Sequence, residues 1–232
     1  MSVHGSVEQG FISKLISACS KTSGGLSDMR GFDWSHVHKD RPHYYEGHIF
    51  RVDFSNSKSD YGFCVTGAVF EECIFDKSIW WMMWFIKCKF IKCSFNNCCF
   101  YNSTLGGEFY SCSFKNLTTK GERFTFGRGF YEDCIFESVH LRKIGEVIAV
   151  RFERCKFDGI FSGDLEGGVF RGRKYALMRR LDSVMDIFDS RNSPVRFIDC
   201  DLTGLKTENV IFEKDIVLKD CKFNPDIFAQ TK

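Results

Sequence analysis

Residues 70–105 read FEECI-FDKSI-WWMMW-FIKCK-FIKCS-FNNCC-FYNST-L. Set in fives, a large apolar side chain returns at every fifth place: Phe70, Phe75, Trp80, Phe85, Phe90, Phe95, Phe100 and Leu105. Two residues before each stands Ala68, Cys73, Ser78, Met83, Cys88, Cys93, Cys98 or Ser103, all small except Met83. The positions between are mostly polar, as in Glu71-Glu72, Asp76-Lys77 and Asn96-Asn97. A period of five is neither the 3.6 of a helix nor the 2.0 of a strand. It requires a backbone that turns a corner every five residues and points one large and one small side chain inward per segment.

This spacing resembles the pentapeptide-repeat family, with Phe for the usual central Leu and Cys for the usual small Ala. The resemblance implies an all-β fold, a right-handed quadrilateral β-helix in which four five-residue faces make one coil. Residues twenty apart then stack at roughly the spacing of hydrogen-bonded strands, 4.7–4.9 Å. Phe70 is expected on Phe90, Phe75 on Phe95, Trp80 on Phe100 and Phe85 on Leu105, in a solenoid whose coils touch only their neighbours.

Outward from this stretch the period is patchier. Phe50 and Phe54 read as an imperfect first approach, and Ser55 to Asp60 as a polar loop. After Leu105 the register slips by one residue to Phe109 and Phe114. Residues 115–130 lose the pattern and are expected to bulge from a corner. Phe136, Leu141, Phe152 and Phe157 resume it, Leu165 and Phe170 continue it, and Phe197, Leu202 and Phe212 follow Pro194. Thr207 takes a centre, with Leu205 in its small slot. Leu218, Phe223 and Phe228 close the series.

Two segments have helical spacing instead. Residues 1 to about 22 read as an amphipathic helix: Ser6 and Gln9 form a capping box, and Val7, Phe11, Leu15 and Cys19 share a face with Ile12 and Ile16. A solenoid must cover its exposed end, so this helix is expected to cap the first coil. Between Arg173 and Ser190, Leu177, Leu181, Val184, Met185 and Phe188 mark an inserted amphipathic helix. It carries Arg173, Lys174, Arg179 and Arg180 toward its start, where the helix dipole favours negative charge. The chain thus divides into an N-terminal helix and irregular cap (1–48), repeat coils (49–172), the inserted helix (173–192) and C-terminal coils (193–232).

Composition is consistent with a filled column. Aromatics make up 16%, with 26 Phe against 7 Tyr, which is what ring-filled centres require. Net charge is +2, so no strong field favours nucleic acid or a membrane surface. No apolar run approaches the roughly 20 residues of a membrane helix, and Met1 to Gly5 lacks a signal-peptide layout, so a cytoplasmic protein is expected. Of the 12 cysteines, Cys73, Cys88, Cys93, Cys98, Cys112, Cys134, Cys155, Cys200 and Cys221 fall in the small slot, where Cys acts as a compact hydrophobe. A reducing compartment keeps such thiols free, although stacked Cys73 and Cys93 would fall within disulfide reach.

Chemistry is harder to find. There is no phosphate-binding glycine loop, nucleophile elbow or dinucleotide fingerprint, so neither an enzyme nor a cofactor is expected. His36, His38, His43 and His48 cluster in one irregular stretch but lack a catalytic metal spacing such as H-E-x-x-H, and are read as a solvated loop rather than a metal site. The outward positions are more informative. Trp81, Met82 and Trp84, joined by Ile74, Ile79, Ile86 and Ile91, have the composition of an interface. The same composition also suits a surface covered by the N-terminal helix through Phe11 and Leu15.

The expected function is therefore a non-enzymatic protein-binding solenoid, with immunity, antagonist or resistance activity as its concrete form. Trp81, Met82 and Trp84, or the Arg173–Arg180 segment, are the partner-binding candidates. The family resemblance implies a toxin or a topoisomerase as partner, and the alternative reading is a DNA mimic that protects type II topoisomerase (gyrase) against poisons. Mimicry calls for a strongly negative rod, whereas Lys87, Lys89, Lys92, Arg151, Arg154 and Lys156 dilute the acids here. The family's mimics also often dimerise at the C-terminal end.

Overall fold

A chain that must turn every five residues needs a conformation that reverses its direction locally, and the left-handed region supplies it. Two residues after each large centre φ becomes positive: Glu72, Lys77, Met82, Lys87, Lys92, Asn97 and Asn102 lie between 45° and 61°, and Gly107, brought into the small slot beneath Cys88 where the spacing shortens to four, lies at 112°. β-Branched side chains are outliers there, and among the described residues none of the 19 non-glycine residues with positive φ is Val, Ile or Thr. The polar runs between centres are thus corners selected for backbone tolerance as well as for solvent.

The structure, a computed structural model, describes residues 11–37, 43–147, 149–163, 168–170 and 194–228. Its strands are short and pair in parallel into two nine-stranded sheets, a three-stranded sheet and a two-stranded one. Together they form a four-sided β-solenoid with one short helix, Phe11–Ala18. Four columns of side chains fill it. Along the first, Phe54, Phe75, Phe95, Phe114, Phe136 and Phe157 stack with ring centroids 4.6–5.3 Å apart and planes within 11°. The second runs Phe70, Phe90, Phe109, Tyr131, Phe152, Phe197 at 4.7–5.0 Å. In the third, Trp80 lies on Phe100 at 5.5 Å and 4°. In the fourth, Val65 pairs with Phe85, Leu105 with Phe126, and Phe170 with Phe212. Columns meet edge to face, as at Phe70 and Phe75 (5.4 Å, 75°), the arrangement that ring quadrupoles favour. The four expected stackings are all present, Phe85 reaching Leu105 through the register of Trp84 with Thr104.

The thiols form a column of their own. Cys73, Cys93, Cys112, Cys134, Cys155, Cys200 and Cys221 occupy the same slot beside the first ring column, and each Sγ donates to the carbonyl two residues earlier at 3.3–3.4 Å. All seven are free thiols, as are Cys88 and Cys98 in other slots.

Several sequence expectations are corrected. At the start of the repeat the phase is set by Ile49, Phe54 and Ser59; Ile49 is buried and pairs with Phe70, while Phe50 points out. The larger ring drew the reading one residue off. Residues 115–130 do not bulge: Leu117, Thr119, Phe124 and Phe126 are buried in a full coil, with strands Thr118–Lys120 and Thr125–Glu132. The buried centre Thr119 is too small and polar to be noticed, but its hydroxyl is held by Arg142, accepting from the amide and donating to the carbonyl. Phe161, only four residues after Phe157, takes the next centre and pairs with Thr207. Gly159, at φ 136°, absorbs the shortened spacing; a Cβ there would lie against the Val139 backbone. At the end, Ile227 is the residue buried beneath Thr207, whose hydroxyl donates to its carbonyl. Leu165 and the segment 173–192 lie outside the described residues.

The cap is built from two parts. The helix Phe11–Ala18 lies beside Ser27–Asp28, with Leu15, Ile16 and Cys19 packed partly buried against the core. Trp34, fully buried, closes the first coil over Phe54 (5.3 Å) and Trp80 (6.3 Å, 80°).

Candidate functional site

With one large and one small side chain of each segment inside, function falls to the two residues that flank each centre and to the corners. In most coils these are polar and pair across coils. Lys115 reaches Glu137 at 2.8 Å, and Arg154 is bound by Asp133, Glu153 and Glu132. This acidic setting holds the Arg154 guanidinium above its usual range, first through Asp133 and then Glu132. Tyr110 is pushed up to about 12 by burial and by its hydrogen bond to Glu108.

One edge departs from this pattern. Ile79 and Trp81 flank Trp80 on one face, Trp84 flanks Phe85 on the next, and Met82 forms the corner between them with φ 45°. All four are exposed, by 40% at Trp81, 45% at Met82, 48% at Trp84 and 49% at Ile79. The Met82 amide donates to Tyr101 at 2.8 Å, and Trp81 stacks on the Tyr101 ring at 4.5 Å and 9°. Above the corner stands Tyr61, 73% exposed. Next to it Gly62 leaves room for Met82: a Cβ there would come within 3.2 Å of the Met82 Cβ.

Trp81, Met82 and Trp84 therefore meet at one edge. Ile74 and Ile91 do not join them: Ile74 bridges Ser94 on the Phe75 face, and Ile91 pairs with Tyr110 on the Phe70 face. The side chain of Ile86 is outside what is described. The corners at Lys77 and Lys87 separate these isoleucines from the tryptophans, although in sequence they look adjacent. Tyr61 and Tyr101 belong to the edge and escape a reading of one coil at a time; their signal is the coil spacing, which places Tyr101 under Trp81. The helix Phe11–Ala18 packs at the end of the column and leaves both tryptophans exposed.

The other candidates lie elsewhere. Arg173, Lys174, Arg179 and Arg180 fall outside the described residues, as does His38. The side chains of His36 and His43 are likewise not described; His43 lies in the strand His43–Phe50, paired with Val65. His48 is exposed and bound to Glu71 at 2.8 Å. Among the described residues no cluster of three metal-ligating side chains occurs, and no helix is long and apolar enough to cross a membrane. Burial pushes the thiols of Cys98 and Cys112 well above their ordinary range, so they stay protonated and chemically quiet.

No family model and no curated protein matches the chain. Among solved structures the chain is similar to QnrB1, described as a plasmid-mediated fluoroquinolone resistance protein. Two trypsin-treated variants show 14% and 18% identity over 78% and 86% of this chain and 91% and 90% of theirs, with TM-scores of 0.25 and 0.26. The full-length form shows 14% identity over 79% of this chain and 94% of its own, with a TM-score of 0.21. Identities and scores this low bring none of that protein's properties to the present chain.

Proposed function

We propose that the chain is a non-enzymatic protein-binding solenoid whose exterior occupies the surface of another protein, as an immunity, antagonist or resistance factor does. The observation that carries this reading is the edge at Trp81, Met82 and Trp84. Stacked rings fill the interior, whereas here large apolar side chains stand in water where other coils carry paired charges. Exposed aromatic and Met side chains grouped in one place are what interfaces concentrate. Imitation of duplex DNA fits less well, because Arg154 sits among acids, Lys115 faces Glu137, and Arg51 and Lys92 flank Glu72.

The test is affinity capture from a lysate of the native host, with the wild type and a Trp81→Ser/Trp84→Ser variant side by side. Because both side chains are half exposed, the variant is expected to keep the wild-type melting temperature within about 2 °C, in line with surface substitutions. It is expected to lose the captured partner. An identical set of captured proteins from both would remove the edge as the interface. Supercoiling and drug-stabilised cleavage assays with purified gyrase test protection of that enzyme separately, and no effect in either removes it.

A further inference from the structure

We propose that the same edge, followed toward later coils, is a docking strip for an acidic polypeptide segment with apolar anchors, laid along the solenoid axis. This rests on the protein-binding reading and adds the class of partner. Strand register sets the line: Trp81 pairs with Tyr101, and Tyr101 with Lys120. The next coil continues it with Arg142, placed under Lys120 by the hydrogen bonds between Thr119 and Arg142. At the corner beside this line the order is Met82, Asn102, then Arg123, then Lys143. Asn102 Oδ1 accepts from the amides of Glu122 and Arg123 at 2.5 and 3.3 Å and so pins that corner. The strip is thus apolar at Tyr61, Trp81 and Met82 and basic at Lys120, Arg123, Arg142 and Lys143, every one of these exposed.

The charge arrangement identifies the occupant. Among the described residues none of those four cations forms an ion pair, and only Glu122 adds a carboxylate to the corner between them. At the apolar end Lys58 is already shared by Asp33 and Asp60 at 3.6 and 3.5 Å. Elsewhere stacked cations have an acid beside them, as Arg151, paired with Arg196, has Glu153; here Lys120 lies directly over Arg142 with no such partner among the described residues. Like charges opposite each other on neighbouring strands are destabilising, and a partner's carboxylates would relieve that repulsion. Single-stranded nucleic acid suits the strip less well. Bases need an open ring face, and the Tyr101 ring is taken by Trp81 from the coil before and by the Lys120 ammonium, 5.7 Å from its centroid, from the coil after. Five coils at strand spacing span about 19 Å, the reach of roughly six extended residues.

The probe is a fluorescein-labelled peptide, Phe-Leu-Phe-Ser-Glu-Glu-Glu-Glu, read by fluorescence anisotropy against the full chain. Saturable binding is expected, weakening with added salt as exposed charges are screened. Trp81→Ser, and separately Lys120→Glu/Arg142→Glu, are each expected to weaken it about tenfold, the equivalent of 1.4 kcal/mol. Circular dichroism confirms that each variant is folded, and Lys120→Ala/Arg142→Ala repeats the test without introducing acids. No saturable binding, or binding indifferent to both charge variants, overturns the proposal. So does tighter binding of a dT12 oligonucleotide than of the peptide. Host capture separates the two readings: a partner lost with Trp81→Ser/Trp84→Ser yet retained by Lys120→Ala/Arg142→Ala leaves protein binding standing and removes the acidic class.

Discussion

Ser57 is the smallest residue on which the capped end depends. Its hydroxyl lies 3.1 Å from the indole nitrogens of both Trp34 and Trp80 and 2.8 Å from Ser78 Oγ. Indoles only donate, so they use the two lone pairs of Ser57, and its proton goes to Ser78. Ser78 in turn donates to the Phe54 carbonyl at 3.4 Å. Ser57→Ala removes the acceptor that both buried indoles use, at about 1–3 kcal/mol or more for a stripped buried donor. A urea midpoint equal to wild type would contradict that accounting. The corners make the second prediction at this scale. Lys77 holds φ 61°, a conformation costing an L-residue roughly 1–2 kcal/mol that glycine avoids. Lys77→Gly is expected to stabilise by up to about 1 kcal/mol, since the extra chain entropy of glycine offsets part of the gain, while Lys77→Val destabilises by a similar amount or more. Thermal melts of the pair give opposite signs if the corner conformation governs the residue choice.

At the scale of the element, each face is a strand of about three residues that would have no stability alone. It survives because its centre is held between the centres of the coils above and below. This explains what could be read from the chain and what could not. Phe70 to Leu105 was legible because every centre is large and every spacing is five. The coil at 115–130 was not, because Thr119 fills its centre by hydrogen bonding rather than by bulk, and Tyr131 reaches its place through a coil of different length. Of the candidate edge, Trp81, Met82 and Trp84 showed as an apolar run, but which isoleucines share their side depends on corner positions that hydropathy does not encode. The thiol column carries its own prediction. Cys88, Cys98 and Cys112 are buried, and burial raises the last two well above the usual thiol range; Cys19 and Cys99 are half exposed. Alkylation with iodoacetamide at pH 8, followed by mass spectrometry, is expected to modify Cys19 and Cys99 first and the buried thiols only on unfolding, because the thiolate is the nucleophile. Early modification of Cys112 would show the column to be open to solvent.

For the whole molecule, stability is a sum over neighbouring coils, so what interrupts the chain matters only if it interrupts the stack. The longest interruption does not: Phe152 lies on Phe197 at 5.0 Å and 15°, and Phe170 on Phe212 at 4.8 Å, across the segment that separates them in sequence. That segment leaves from the corner between Phe170 and Val195, where the coils at Val65, Phe85 and Val147 use two residues, the second in the left-handed region at Gly67, Lys87 and Ala149. Excising 173–194 joins Gly172 to Val195 and restores the five-residue spacing, with centres at Phe170 and Phe197 and the small slot at Val195. Glycine then falls on the corner position, where its freedom is needed, and Pro194, whose fixed φ would forbid that corner, is removed. Closing a loop of about two residues instead of about two dozen recovers roughly 2 kcal/mol of chain entropy. The excised protein is therefore expected to keep its β-sheet circular dichroism and to melt at or above the wild-type temperature. A melting temperature lower by 10 °C or more, in line with the several degrees per kcal/mol typical of small domains, would show that the segment braces the coils on either side.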